Sequence, residues 1–171
     1  MITSLVVAAT EDDIIGAGGA LPWHIPGDLR RFRALTTGHV VVMGRVTHES
    51  ILARLGHPLP GRTSVVVTRG PRAALGGGVK AAESLERALA DAAGQASQAG
   101  CDEFFVIGGA TVYAEVLPWV DRVYLTRIYH RFDGDRRMPA GWLDDFELVS
   151  REDAAEPTTG IRYSFLDWQR A

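Results

Sequence analysis

A chain of 171 residues, 46% hydrophobic and 23% charged, has the size and make-up of a single globular domain, which excludes the disordered and fibrous classes. Its 18 Lys and Arg against 21 Asp and Glu leave a formal charge of −3, so no basic field marks a nucleic-acid binder and any anion must be held locally. One cysteine, Cys101, and five scattered histidines supply neither an internal disulfide nor a zinc-ligand grouping; no metal is expected, and a reducing cytoplasm is the expected setting.

The opening run "MITSLVVAATEDD" lacks the basic flank and long apolar core of a signal, and no apolar stretch approaches the ~20 residues that span a bilayer. It reads instead as a first strand, "SLVVAA" at 4–9. In chain order there follow a helix at 28–36, the strand "HVVVM" at 39–43, the helix "THESILARL" at 47–55 and the strand "TSVVVT" at 63–68. A helix at 84–99, the strand "EFFVIG" at 103–108, a helix at 110–117 and the strand "RVYLTRI" at 122–128 complete the alternation. Continuous apolar runs, rather than alternating ones, suit strands covered on both faces, and strand–helix alternation predicts an α/β fold with a largely parallel sheet. The tail, "DFELVSRED" and "IRYSFLDWQR", has two strands with no helix between them and predicts an antiparallel ribbon on the sheet edge. The biased segments "GPRAALGGG" at 70–78 and the Ala/Gln-rich 88–99 read as surface connection or helix, so residues 1–171 form one expected domain.

Two strands end alike: "VVVMGRVTHES" and "FFVIGGATVY" each pass through glycine into a helix. The free N–H groups and positive dipole at such a junction suit a phosphate, and two junctions side by side suit the pyrophosphate of a dinucleotide. Glycine at one such junction is equally explained by turn geometry alone. Neither G-x-G-x-x-G nor G-x-x-x-x-G-K-[ST] occurs, so a nucleotide would be held by another scheme. Arg62 and Arg69 flank one strand, where each guanidinium could grip a carboxylate or phosphate, or simply be solvated.

The stretch "ALPWHIPGDLRRF" places Asp28 just behind Pro26 at a helix start, where a carboxylate could do no more than cap or complement the dipole. Phe32 and Leu35, four and seven residues on, lie on its face of the helix, so the carboxylate points with the core-facing side chains. A buried carboxylate needs a partner. Arg30 and Arg31 step away at about 100° per residue and are not expected to serve, whereas a ligand with paired N–H donors would fit.

In this order, "IIGAGGALPWHIPGDLRRF", "VVMGRVTHESI", "PLPGRTSVVVTR", "FFVIGGATVY" and "VYLTRI" resemble the dihydrofolate reductase family over nearly the whole chain. The resemblance implies a predominantly parallel eight-stranded sheet flanked by four helices, with an antiparallel C-terminal hairpin. It implies NADPH as hydride donor, dihydrofolate as acceptor, and antifolate inhibitors of the diaminopyrimidine and pteridine type as ligands; a monomer is expected, with no nucleic-acid or membrane partner. Asp28 resembles the carboxylate that anchors the pterin and promotes protonation at N5. Trp23 resembles the Trp that orders a water nearby, Leu21 a position on the mobile loop, and Thr126 the Thr that shares the acid's network. By the same likeness Val6, Val7, Leu29, Phe32, Ile51, Leu59 and Ile107 wall the folate pocket, and Arg62 holds the glutamate carboxylate.

On the cofactor side the likeness assigns Ala8, Ile15, Gly16, Leu21, Ile107 and Tyr113 to the nicotinamide end. Gly44, Arg45, Val46 and Thr47, with Gly108, Gly109, Ala110, Thr111 and Val112, meet the phosphates, and the Gly108–Gly109 bond is expected to be cis. Thr68 and Arg69 fall on the adenosine side, and Asp135 matches a loop residue that keeps the active-site loop closed. Two departures are His48, where the family has Trp or Tyr, expected to loosen packing behind the cofactor, and Ala110, which adds a methyl to the usual third glycine. A pyrimidine reductase of the riboflavin pathway with the same fold, and a non-catalytic nucleotide-binding module, stand as alternatives.

Overall fold

The computed structural model describes residues 1–171, the side chain of Ala73 apart. In chain order it holds β1 (Ile2–Thr10), β2 (Ile14–Gly16), α1 (Pro26–Thr36), β3 (Val40–Gly44), α2 (Arg45–Leu55), β4 (Thr63–Val67) and β5 (Val79–Ala82). Then come α3 (Leu85–Gln98), β6 (Glu103–Val106), α4 (Ala110–Val116), β7 (Arg122–Ile128), β8 (Arg136–Arg137), β9 (Phe146–Ala155) and β10 (Arg162–Arg170), with short 3-10 turns at Arg72–Leu75 and Leu117–Trp119. Eight strands form one sheet in the order β5-β4-β3-β6-β1-β7-β10-β9, and β2 pairs with β8 in a small second sheet. Every neighbouring pair from β5 to β7 is parallel; β10 is antiparallel to both β7 and β9, so it alone opposes the rest.

The central strands are apolar without alternation because both of their faces are covered. Val40, Val42, Val65, Phe104, Val106, Leu5 and Val7 pack with α3 and α4 on one face, while Val41, Met43, Val66 and Phe105 pack with α1 and α2 on the other. Local signals place the helices. Ser84 caps α3 by accepting from the Arg87 N–H at 3.1 Å, and Ala88, Ala92 and Ala96 form a fully buried stripe of small side chains that brings the helix close to the sheet. None of these helices is long and apolar enough to cross a membrane.

Two elements depart from the expectations. Val79–Ala82, within the stretch bordering "GPRAALGGG", is β5, a parallel edge strand on β4. Four residues carrying Lys80 and two alanines have little intrinsic strand signal, and only the exposed edge of β4 makes them one. The β2–β8 ladder is likewise a product of long-range pairing, with Ile14 opposite Arg137.

Candidate active site

Chain order makes a crevice at one end of the central strands. From β3 the chain leaves through α2 on one face toward β4; from the adjacent β6 it leaves through α4 on the opposite face toward β7. Such a reversal opens a gap beyond the carboxyl ends of the two strands, the usual ligand site of open α/β sheets. Both glycine junctions lie there. The Gly44 N–H donates to the Gly108 carbonyl at 2.8 Å, so the two are joined side by side, and the Gly108–Gly109 bond is cis as expected.

No side chain caps either helix: α2 starts behind Gly44 and α4 behind Gly109 with free first-turn N–H groups. The crevice has little room for side chains. A Cβ on Gly44 would lie 3.3 Å from Val112 Cγ2, and one on Gly108, at φ +119°, would meet the Tyr113 ring at 3.2 Å. These backbone donors and bare glycines fit the phosphates of a dinucleotide. Arg45 and Val46 are exposed at the start of α2, Arg45 paired with Glu49 at 2.5 Å; Thr47 is half-buried, its hydroxyl 3.4 Å from the Cβ position of Gly109. Thr111 is exposed, Val112 buried, and the Ala110 methyl packs against the α3–α4 core.

The acid sits two strands away. Asp28 lies in the first turn of α1, whose N-terminal residue Ile25 has no side-chain cap, so its carboxylate is not spent on the helix. Instead Oδ1 accepts a hydrogen bond from Thr126 Oγ1 at 2.6 Å, reaching across to β7. Thr126 is paired in register with Ala8 of β1 and Phe165 of β10 and is buried. Burial pushes the Asp28 carboxyl above the ordinary carboxylate value; the Thr126 hydrogen bond, and then the positive charge of Arg31, pull it back. Arg31 is not its partner: among the described residues it makes no bond to the acid and pairs instead with Asp167 of β10. Tyr113, from α4, places its phenol between the Val6 and Ile107 carbonyls at 2.7 and 2.9 Å, and burial together with the Asp28 charge keeps it protonated.

Phe32, Leu35, Val6 and Ile107 pack with buried Ile51 and Leu59 into one apolar wall between α1 and α2. Val7 does not join them. Alternation along β1 turns its side chain to the α3–α4 face, so at the cleft it offers only backbone. Leu29 is exposed on α1. At the end of this wall Arg62 is oriented by two neutral oxygens, Nε donating to Pro60 O at 2.9 Å and Nη1 to Thr36 Oγ1 at 3.2 Å, with its guanidinium 6.0 Å from the Phe32 ring centre. Thr36 is a positioning residue that no sequence pattern flagged; its hydroxyl also donates to Phe32 O.

Loop residues complete the site. Leu21 is exposed, whereas Trp23 is buried against Phe132, its buried indole N–H without an acceptor among the described residues. Ile15 is buried and Gly16 half-buried on β2; Asp135 Oδ1 accepts from the Gly18 N–H at 3.3 Å and its own N–H donates to Gly16 O, tying the loop down as expected. At the loop root Asp13, at φ +65°, accepts from Arg127 and from the Trp142 indole at 2.9 and 3.0 Å, a knot invisible in sequence because its members lie over a hundred positions apart. Toward the far end of the crevice Thr68 is buried, its hydroxyl accepting from the Gly70 N–H, and Arg69 is exposed. His48, behind the cofactor side, leaves its buried Nδ1 without a partner among the described residues. It is 1% exposed, and its Nε2–H donates to the Leu75 carbonyl at 2.8 Å, tying α2 to the 3-10 turn.

Known proteins resemble this chain in sequence and fold. The family model described as dihydrofolate reductase matches residues 2–170. The chain is 45% identical over 148 residues to the type 3 dihydrofolate reductase of Salmonella typhimurium, covering 84% of this chain and 85% of that one. It is 38% identical over 168 residues to the dihydrofolate reductase of Bacillus subtilis, covering 98% and 94%. A solved dihydrofolate reductase of Enterococcus faecalis, complexed with NADP(H), superposes with a TM-score of 0.85 at 29% identity, over 99% of this chain and 96% of that one. A half-buried acid on the first helix, paired glycine junctions and likeness along the whole chain agree, and the chain belongs to the dihydrofolate reductase family.

Proposed function

We propose that the chain reduces 7,8-dihydrofolate to 5,6,7,8-tetrahydrofolate, and so supplies one-carbon metabolism. One observation carries the reading: a half-buried carboxylate, Asp28, held by Thr126 through one oxygen, at the same end of the sheet as two hydrogen-bonded glycine junctions that leave helix N-termini free. Asp28 Oδ2 has no protein donor among the described residues, which leaves it for the paired N–H groups of a pterin's 2-amino and N3 edge. Anchored there, the negative charge favours a proton at N5, delivered from solvent. The apolar wall of Val6, Phe32, Ile51, Leu59 and Ile107 excludes water from the ring and its aryl tail, and Leu29, exposed on α1, is assigned to the same opening by the family likeness. Arg62 meets the glutamate carboxylate with a guanidinium already oriented by Pro60 and Thr36.

When bound, NADPH supplies the hydride for C6 of the pterin. Gly44, Arg45, Val46 and Thr47 hold its phosphates from α2; Gly108, Gly109, Ala110, Thr111 and Val112 do so from α4. Ala8, Ile15, Gly16, Leu21, Ile107 and Tyr113 border the nicotinamide end, and Thr68 and Arg69 the adenosine end, where Arg69 and Arg45 select the extra phosphate of NADPH over NADH. Trp23, whose unpartnered indole N–H would suit an ordered water, and the loop held by Asp135 close the site. Diaminopyrimidine and pteridine antifolates, which offer the same paired donors to Asp28, are expected inhibitors; the enzyme is expected to act in the cytoplasm as a monomer. Loss of reduced-nicotinamide absorbance on adding dihydrofolate to the protein and NADPH is the test. Oxidation only with a ribosylamino-pyrimidine phosphate, or with neither substrate, would overturn the reading.

A further inference from the structure

Strand β2, which carries Ile15 and Gly16, has little of its own to hold it. It is three residues long, its partner β8 is two exposed residues, and their ladder shifts register between Ile14 and Gly16. A ribbon of that size is not stable by its own hydrogen bonds. Yet its placement is close-fitting. Ile15 is seated in the core cluster that also takes Tyr113, Met138 and Trp142. Gly134 passes so near that a Cβ there would lie 2.4 Å from Ile14 Cγ2 and 2.5 Å from the Gly16 carbonyl oxygen. The placement must be fixed from outside the ladder.

Asp13, immediately before β2, supplies that support. It stands at φ +65°, a conformation that residues with a Cβ adopt at a cost. Its Oδ1 accepts from Arg127 Nη1 at 2.9 Å and from the Trp142 indole at 3.0 Å, and its carbonyl accepts from the Met138 N–H at 3.0 Å. The same Arg127 nitrogen donates to the Thr10 carbonyl at 2.7 Å, so the end of β1 and the root of β2 close around one guanidinium. Arg127 is 15% exposed at its side chain, and Asp13 is its only carboxylate partner among the described residues. Charge-assisted bonds of this kind are stronger than neutral ones, and removing one partner strands the other. Strand β7 explains the location. Thr126 and Arg127 are consecutive and leave it on opposite faces, one holding Asp28 and the other Asp13.

We propose that Asp13 is a positioning residue for hydride transfer: by gathering Arg127 and Trp142 onto one carboxylate oxygen, it fixes Ile15 and Gly16 against the nicotinamide of NADPH. This rests on the cofactor site proposed above. The full-length parent, Asp13→Gly and Asp13→Asn are compared well below their melting temperatures. Glycine suits φ +65° and asparagine tolerates it, so both variants spare the turn and remove the charge. In Asp13→Gly, hydrogen exchange of residues 14–20 in the free protein, followed by mass spectrometry, should quicken about tenfold. The Kd for NADPH should rise several-fold and the single-turnover rate of NADPH oxidation with dihydrofolate should fall about tenfold. Affinity for a pteridine antifolate without cofactor should stay within about twofold of the parent. Asp13→Asn, which keeps an acceptor, should fall between the two, and it decides the matter alone where Asp13→Gly does not fold. Parent-like exchange overturns the proposal. So does faster exchange with unchanged NADPH affinity and single-turnover rate, since the knot would then hold the fold and nothing more. A parent that oxidises no NADPH with dihydrofolate overturns instead the reaction proposed above, while exchange and NADPH affinity still decide for or against Asp13.

Discussion

The two halves of the site are built in opposite ways. Around Asp28 the working groups are side chains in a partly buried setting: a carboxylate, a threonine hydroxyl and a tyrosine phenol, brought from α1, β7 and α4. At Gly44 and Gly108–Gly109 the working groups are backbone N–H donors, and the side chains have been removed to let a ligand approach. One half is therefore vulnerable to a change of chemistry at constant shape, the other to a change of shape at constant chemistry.

Asp28→Asn is the sharpest way to break the first half without touching the second. It is nearly isosteric, yet turnover near neutral pH should fall about a hundredfold or more, while NADPH affinity, read by fluorescence titration, stays within about twofold. The same variant carries a stability signature. Because the folded-state pKa of Asp28 is raised, the unfolded chain gives up this proton first as pH climbs through the ordinary value of 3.8, and the folded state then loses stability until its own carboxyl ionises. Asp28→Asn should accordingly melt higher than the parent at pH 7, with the gap closing as pH falls to the ordinary carboxylate value. Equal melting curves at neutral pH would show that the carboxylate carries no burial cost.

Gly44→Ala breaks the second half by volume alone. The added methyl sits 3.3 Å from Val112 and at the mouth of the crevice, and should weaken NADPH about tenfold with little change in the pterin affinity measured by inhibitor titration. Loss of both affinities together would mean that the two halves are not separable. Arg62→Ala tests the far end of the side-chain half: KM for dihydrofolate should rise about tenfold, whereas binding of a pterin lacking the glutamate should not change. The smallest effect is expected at His48→Phe, which keeps an aromatic ring but loses the bond to Leu75; a stability loss of about 1 kcal/mol in a denaturant melt, with turnover nearly unchanged, places this residue outside both halves.

Reading from residues alone went furthest where one short stretch contains the whole signal. The glycine junctions are local, since strand, glycine and helix follow one another in "VVVMGRVTHES", and the structure needed only to set them side by side. Asp28 was half legible. The spacing to Phe32 and Leu35 turned it inward, but its partner Thr126 lies 98 residues away on another strand. The helical wheel set Arg31 apart from Asp28, but it gives only the direction in which a side chain leaves the helix and not that this one ends on Asp167 and Phe165 of a distant strand. Edge strand β5 was lost for a related reason: nothing in "VKAA" favours a strand until β4 offers it a ladder.

By itself the sequence determined the alternation of strands and helices, the twofold burial of the central strands and the free helix N-termini behind glycine, because each follows from nearest-neighbour sterics and from periodicity. Only the tertiary structure decided that β6 lies between β3 and β1, so that Gly44 touches Gly108, and that β7 brings Thr126 to Asp28. It also turned Val7 from the cleft and His48 into a tie for Leu75. The physical reason is that strand order and register are set by how two hydrophobic faces are buried at once, a property of the whole chain that no local stretch encodes.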